Sequence, residues 1–325
     1  MAWLADHYET RLAADLVDDE RAMQHIMARS RAVVLPRKVR ITESLLAFAP
    51  KLQAIGRLHS DNADIDVCRE AGVRLVQPLG ASSRAHAEFL LASLLLLMRR
   101  GLLPTLCGKR APLGAIGQEL HGSTIGLLGM TSTAHTLASL LTMLGAKLIG
   151  YDPALTDSSP MWESARVRRV TLPELLSSSD AVSVQMLYAP TLKRFLDEAA
   201  LSYCKPGQLW VGVSRSALFD ETALAHALSD GRIESCLLDG AEAQFAPKGS
   251  KLRALPNLIL TPRLGANTAQ ARIRASWHLA HRIDDILSGR DELGREPTDY
   301  SMPVPLGSDS HPPAPSGGDA HLIPP

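Results

Sequence analysis

The chain has 325 residues, 46% of them hydrophobic, which is enough for two domains of ordinary size around a substantial core. Basic and acidic side chains balance at 34 each, so net charge gives no reason to expect a nucleic-acid or acidic-membrane partner. The longest apolar run, residues 89–98, is too short to span a bilayer and suits a buried helix.

The N-terminal MAWLADHYETR is charged early and lacks the apolar core of a signal peptide. Residues 31–36 (RAVVLP) and 52–58 (LQAIGRL) read as strands. Between them Thr42, followed by Glu43 and Ser44, marks a helix start ahead of an apolar face. A short helix ending near Gly72 leads to a strand at 73–76, and 83–98 reads as a long apolar helix. The looser, Gly- and Pro-containing stretch 101–117 reads as a crossing between domains.

A second β-α series begins at Ser123. Strands are expected at 124–128, 147–151, 181–185, 209–213, 235–238 and 258–260, with helices between them, one at 134–144. A helix from 269 to about 288, ending at Gly289, is expected to pack back on the first domain. The resulting fold class is α/β, with doubly wound parallel sheets. From Glu296 the composition changes: eight of the 21 prolines lie between there and the end, so 296–325 is expected to be a disordered tail. The four cysteines (Cys68, Cys107, Cys204, Cys236) form no Cys-x-x-Cys pair. They suggest neither a metal site nor a disulfide framework, and point to reduced thiols in the cytoplasm.

The strand-turn-helix at 125–144 stands where a dinucleotide fingerprint would. Of Gly-x-Gly-x-x-Gly it keeps Gly129, then Thr131 and Ala134. Asp152, at the end of the next strand, suits a ribose 2′-hydroxyl and favours NAD. Threonine at the second position adds a β-branched side chain; if the backbone there needs glycine-only angles, the penalty is about 1–3 kcal/mol. Thr131, Ser132 and Thr133 also put three hydroxyls at a helix N-terminus, where they either help hold an anion or simply cap the helix.

The stretch from Lys205 to Thr268 carries KPG, VSRSALFDE, CLLDG and TPR. Together with GASSRAHAEFLLASLLLLMRR at 80–100 and DAVSV at 180–184, it resembles the D-isomer-specific 2-hydroxyacid dehydrogenases, the family of phosphoglycerate and formate dehydrogenases. The resemblance covers roughly 31–290. It implies a flavodoxin-like substrate domain (1–98, with the returning helix 269–289), a Rossmann NAD-binding domain (99–268), a small carboxylate as substrate and a homodimer. It implies that Arg215 grips the substrate carboxylate, that Asp239 faces the nicotinamide carboxamide, and that the loop His59-Ser60-Asp61 approaches the substrate.

Two positions break the family pattern. The histidine that moves the proton is replaced by Arg263, and the glutamate that assists it by Gln244. An imidazole exchanges a proton near neutrality; a guanidinium, with a pKa above about 12, does not. Three readings stay open. One is an NAD-binding family member that has lost ordinary turnover. The second is an oxidoreductase that takes hydride from an ionised donor such as formate, for which Arg215, Gln244 and Arg263 need no proton. The third is a binding module working through the proline-rich tail. The remaining histidines, His86, His135, His226, His278 and His281, read as structural.

Overall fold

The structure, a computed structural model, describes residues 2–36, 38–58, 62–106, 108 and 116–290. The expected tail, the loop His59-Ser60-Asp61 and Cys107 lie outside the described residues. The described residues form two sheets, both wholly parallel. In the first, β1 (Ala32–Val34), β2 (Ala54–Gly56) and β3 (Arg74–Val76) lie side by side in that order. The second contains β4 (Thr124–Leu128), β5 (Lys147–Tyr151), β6 (Arg168–Arg169), β7 (Ala181–Val184), β8 (Gln208–Gly212), β9 (Ile233–Asp239) and β10 (Leu258–Thr261). Its order is β10-β9-β8-β7-β4-β5-β6.

The chain therefore runs outward from β4 in one direction, returns, and runs outward from β7 in the other. This is the doubly wound arrangement, and it opens a crevice at the carboxyl ends of the strands where the order reverses. The near-continuous apolar strands follow from burial on both faces. Ile125 and Leu127 of β4 point into a core shared with the helices Ser83–Met98 and Ser132–Met143. Leu128, Val182, Val184 and Trp210 pack on the opposite side, beneath the helices Leu172–Ser178 and Glu221–Ser229.

The helix Ser83–Met98 lies along the helix Ser132–Met143 and over β8, so it packs with the larger sheet. The C-terminal helix Ala269–Leu287 returns to the first sheet, where Leu279 and Ile283 pack on Ala54 and Val76. The first thirty residues hold two helices, Ala2–His7 and Glu20–Met27, ahead of the first strand. The first of these docks on the C-terminal helix: the Trp3 ring centre lies 4.7 Å from that of His281, the two planes tilted by 52°, and the Tyr8 hydroxyl donates to Asp284 at 2.6 Å.

Candidate functional site

The turn after β4 is fastened from several sides. The Gly129 amide donates to Tyr151 O at 2.8 Å, and the Met130 amide to Asp152 Oδ2 at 2.8 Å. The buried Gln185 amide group donates to Gly129 O at 2.8 Å, while its own oxygen accepts from the Ser183 hydroxyl at 2.7 Å. Gly129 has φ +94°, and a Cβ there would lie 2.5 Å from the Met186 backbone nitrogen. Only glycine can bring two backbones this close in a left-handed conformation.

Thr131 behaves differently from the conditional penalty above. Its φ is −86° and ψ 174°, ordinary extended backbone, so no glycine-only geometry is needed and no strain is incurred. Its hydroxyl caps the helix by accepting from the Ala134 amide at 3.4 Å. Ser132 Oγ lies 2.6 Å from Ser83 Oγ, and Thr133 is buried. The Thr131 and Ser132 hydroxyls thus serve the protein's own framework at this turn. Anion affinity there is left to the backbone amides and the helix dipole.

A second turn closes the other side of the crevice. The Asp239 carboxylate, only 6% exposed at the end of β9, receives three donors from residues 261–265. Oδ1 accepts from Thr261 Oγ1 at 2.6 Å and the Leu264 amide at 2.7 Å, and Oδ2 accepts from the Gly265 amide at 2.8 Å. A carboxylate has about four lone-pair sites, so one remains on Oδ2 for a ligand amide. Arg263 stands at the apex of this turn with φ +57°. Its stem lies on Gly240, where a Cβ would overlap Arg263 Cγ and lie 3.3 Å from both Cδ and Nε. Its side chain is exposed and makes no ion pair with the described residues.

Arg215 follows β8. Its Nε donates to Glu242 Oε1 at 2.8 Å, and its guanidinium carbon lies 5.0 Å from the centre of the Tyr188 ring. Glu242 also accepts from the Ser216 amide at 2.9 Å and from the Ser216 hydroxyl. Burial pushes the Glu242 carboxyl up, but the hydrogen bonds from Ser216, Arg215 and the backbone outweigh it and hold the group below the usual carboxylate range. Gln244, two residues on, is exposed and has no hydrogen bond to the described residues. The carboxylate near Arg215 is therefore that of Glu242.

Sequence reasoning missed three contributors. His86, read as structural, has its ring against Gly265: a Cβ on that glycine would lie 3.1 Å from His86 Cδ2 and 3.0 Å from Asp239 Oδ2. Its Nδ1 lies 3.4 Å from Ser82 Oγ. Gln185 was read only as the end of a strand, and Gly240 had no assigned part. A polar side chain closing an apolar strand was the available signal for Gln185; no local signal marks the other two. Just after β2, the buried Arg57 guanidinium pairs with Asp64 and donates to Val39 O.

The model of the D-isomer-specific 2-hydroxyacid dehydrogenase NAD-binding domain matches residues 105–265. A protein from Chromohalobacter salexigens named (S)-sulfolactate dehydrogenase is 32% identical over 269 residues, covering 81% of this chain and 87% of that protein. The chain belongs to the D-isomer-specific 2-hydroxyacid dehydrogenase family. D-3-phosphoglycerate dehydrogenase from Mycobacterium bovis is 29% identical over 296 residues, 89% of this chain but 55% of the relative, so the chain spans about half of that enzyme. Among solved structures, D-mandelate dehydrogenase from Rhodotorula graminis superposes with a TM-score of 0.74 at 22% identity, over 87% of this chain and 89% of that one. NAD-dependent formate dehydrogenase from Staphylococcus aureus does so with a TM-score of 0.68 at 21% identity, over 87% and 86%. Both share the fold.

NAD is the cofactor of the matched domain. The residues present fit it: Gly129 allows the tight turn, Asp152 stands at the end of β5, and Asp239 keeps one acceptor site. Thr131 is the departure, since its side chain occupies space that a glycine would leave to the pyrophosphate.

Proposed function

We propose that this dehydrogenase-family protein binds NAD and a small carboxylate but does not reduce 2-keto acids at ordinary rates. The observation that carries the reading is Arg263. A fixed cation stands at the apex of the turn held by Asp239, where the family has a proton-exchanging ring. Reduction of a 2-keto acid would take its hydride from NADH held at this site and its proton from the chain, and neither Arg263 nor the exposed Gln244 is suited to give one. Arg215, oriented by Glu242 and Tyr188, keeps its two terminal nitrogens for a ligand carboxylate. In this reading the domains divide as 1–98 with 269–289, and 99–268, and the assembly is a homodimer.

The test is an NADH fluorescence titration followed by turnover of glyoxylate, pyruvate, hydroxypyruvate and larger 2-keto acids. Saturable NADH binding with no turnover is the expected result. Turnover with an inflection near pH 7 overturns the reading and points to an imidazole, His59 or His86. A second reading rests on the two arginines. Hydride transfer from formate needs no base, and would appear as NAD reduction with a flat profile from pH 5 to 8.

A further inference from the structure

Arg263 is held more firmly than a residue left over from drift would require. Both shoulders of its turn are tied to one buried carboxylate, through Thr261 Oγ1 and the Leu264 and Gly265 amides. The Arg263 amide closes the turn by donating to Thr261 O at 3.1 Å. The residue itself occupies the left-handed region, which costs a non-glycine residue about 1–2 kcal/mol and persists only where the surroundings enforce it. Gly240, with φ +76°, leaves room for the arginine stem that any larger residue would take away. The two residues fit each other, and the guanidinium is left at the crevice with no protein anion of its own among the described residues.

Arg215 is fixed independently. Glu242 takes its Nε edge and Tyr188 covers one face, which leaves the terminal-nitrogen edge for a ligand. The two cations flank one short segment. Arg263 rests on Gly240, and Glu242, two residues later, holds Arg215. Two residues span at most about 7 Å. Both side chains stand at carboxyl ends of strands of one parallel sheet, where open α/β folds take their ligands.

We infer that the cleft selects a small dianion, with one carboxylate on Arg215 and a second anionic group, two or three bonds away, on Arg263. This rests on the reading above that both arginines face the ligand. Two guanidiniums at one cleft favour a dianion over a monoanion because each charge-assisted contact adds separately, and Arg215, held by Glu242 and Tyr188, has little side-chain entropy left to lose.

The experiment is calorimetric titration of the full chain, saturated with NADH at fixed ionic strength, with malonate and separately with acetate. Malonate is expected to bind at least about tenfold tighter. Arg263→Gln is expected to remove that advantage, with acetate affinity and the NADH dissociation constant changing less than about twofold. Gly240→Ala, which displaces the stem, is expected to give the same selective loss. Arg263 is exposed, so the Gln variant keeps the test valid should the Ala variant fold poorly. Equal affinities, a malonate advantage that survives Arg263→Gln, or no binding of either anion would each overturn the inference. Turnover of 2-keto acids would overturn the functional reading instead, and the malonate-to-acetate ratio is measured independently of it.

Discussion

Replacing Arg263 by histidine together with Gln244→Glu asks whether the proton relay is all that the site lacks. Histidine is among the residues that tolerate the left-handed region, so the φ of +57° at position 263 is no obstacle. A guanidinium is neutral at pH 7 about once per million, whereas an imidazole with an ordinary pKa near 6.5 is about one quarter protonated. Position 244 is exposed, so a glutamate there would raise the ring by less than about one unit, an exposed ion pair being worth about 0–1 kcal/mol. Positioned acid-base catalysis contributes about 10²–10⁴ in rate. The double variant is therefore expected to reduce a 2-keto acid at least about a hundredfold faster than the parent, followed as NADH absorbance at 340 nm. The rate should fall as pH rises through about 7, since reduction consumes the protonated ring. Arg263→His alone should deliver most of the gain. A double variant that binds NADH and acetate yet stays silent would refute the reasoning, and would shift the cause to the turn at Thr131 or the loop 59–61.

Gly129→Ala should cost about 1–2 kcal/mol for the left-handed backbone and about 1–3 for overlap with Met186, lowering the thermal midpoint by roughly 5–10 °C and weakening NADH binding. Asp152→Ala removes acceptors for the Met130 and Ala154 amides, and should raise the NADH dissociation constant about tenfold or more in the same fluorescence titration. Glu242→Gln should lower the melting temperature at pH 7. Because the folded-state pKa of Glu242 lies below its unfolded value, its contribution is full above about 4.5, and the gap to the parent should close as pH falls below that. Burial pushes the thiol of Cys68 up to about 11 and that of Cys204 up to about 12, and raises that of Cys236. All three should resist iodoacetamide at pH 8, as read by peptide mass mapping, until the chain is unfolded. Their neutral forms favour the folded state below the unfolded pKa of about 9, so stability should decline as pH rises from about 9 toward 11.

The strands β4 and β5 and the helix Ser83–Met98 were legible to the residue because local pattern and burial agree there. Apolar runs of strand or helix length end at Gly, Asp or Arg. The helix after β4 starts at Ser132, two residues earlier than its apolar pattern indicates, because Thr131 serves as its cap. β6 escaped reading since two exposed arginines at a sheet edge carry no strand signature. The first N-terminal helix is held by Trp3 and Tyr8 against residues 277–284, contacts that no local pattern contains. At the site, the identities at 215, 239 and 263 were legible. What those residues touch was not: the Arg215–Glu242 pair, the ring of His86 beside Gly265 and the fit of Arg263 on Gly240 all join distant segments.

The donors and acceptors at the crevice are unevenly spent. Its three carboxylates are largely consumed by the protein: Asp152 by two amides, Glu242 by Arg215 and Ser216, and Asp239 by three donors of the 261–265 turn. Among the described residues, the groups left over are the Arg215 terminal nitrogens, the Arg263 guanidinium and the amides opening the helix Ser132–Met143, all donors, beside the one acceptor site that remains on Asp239 Oδ2. A site so composed attracts anions strongly, and its cations carry the same charge at every physiological pH. In the ordinary family site one donor also gives up its proton, which requires a ring that titrates. Substituting arginine keeps the attraction and removes the exchange. On the proposed reading, binding and turnover, normally joined in one side chain, become separable at residue 263.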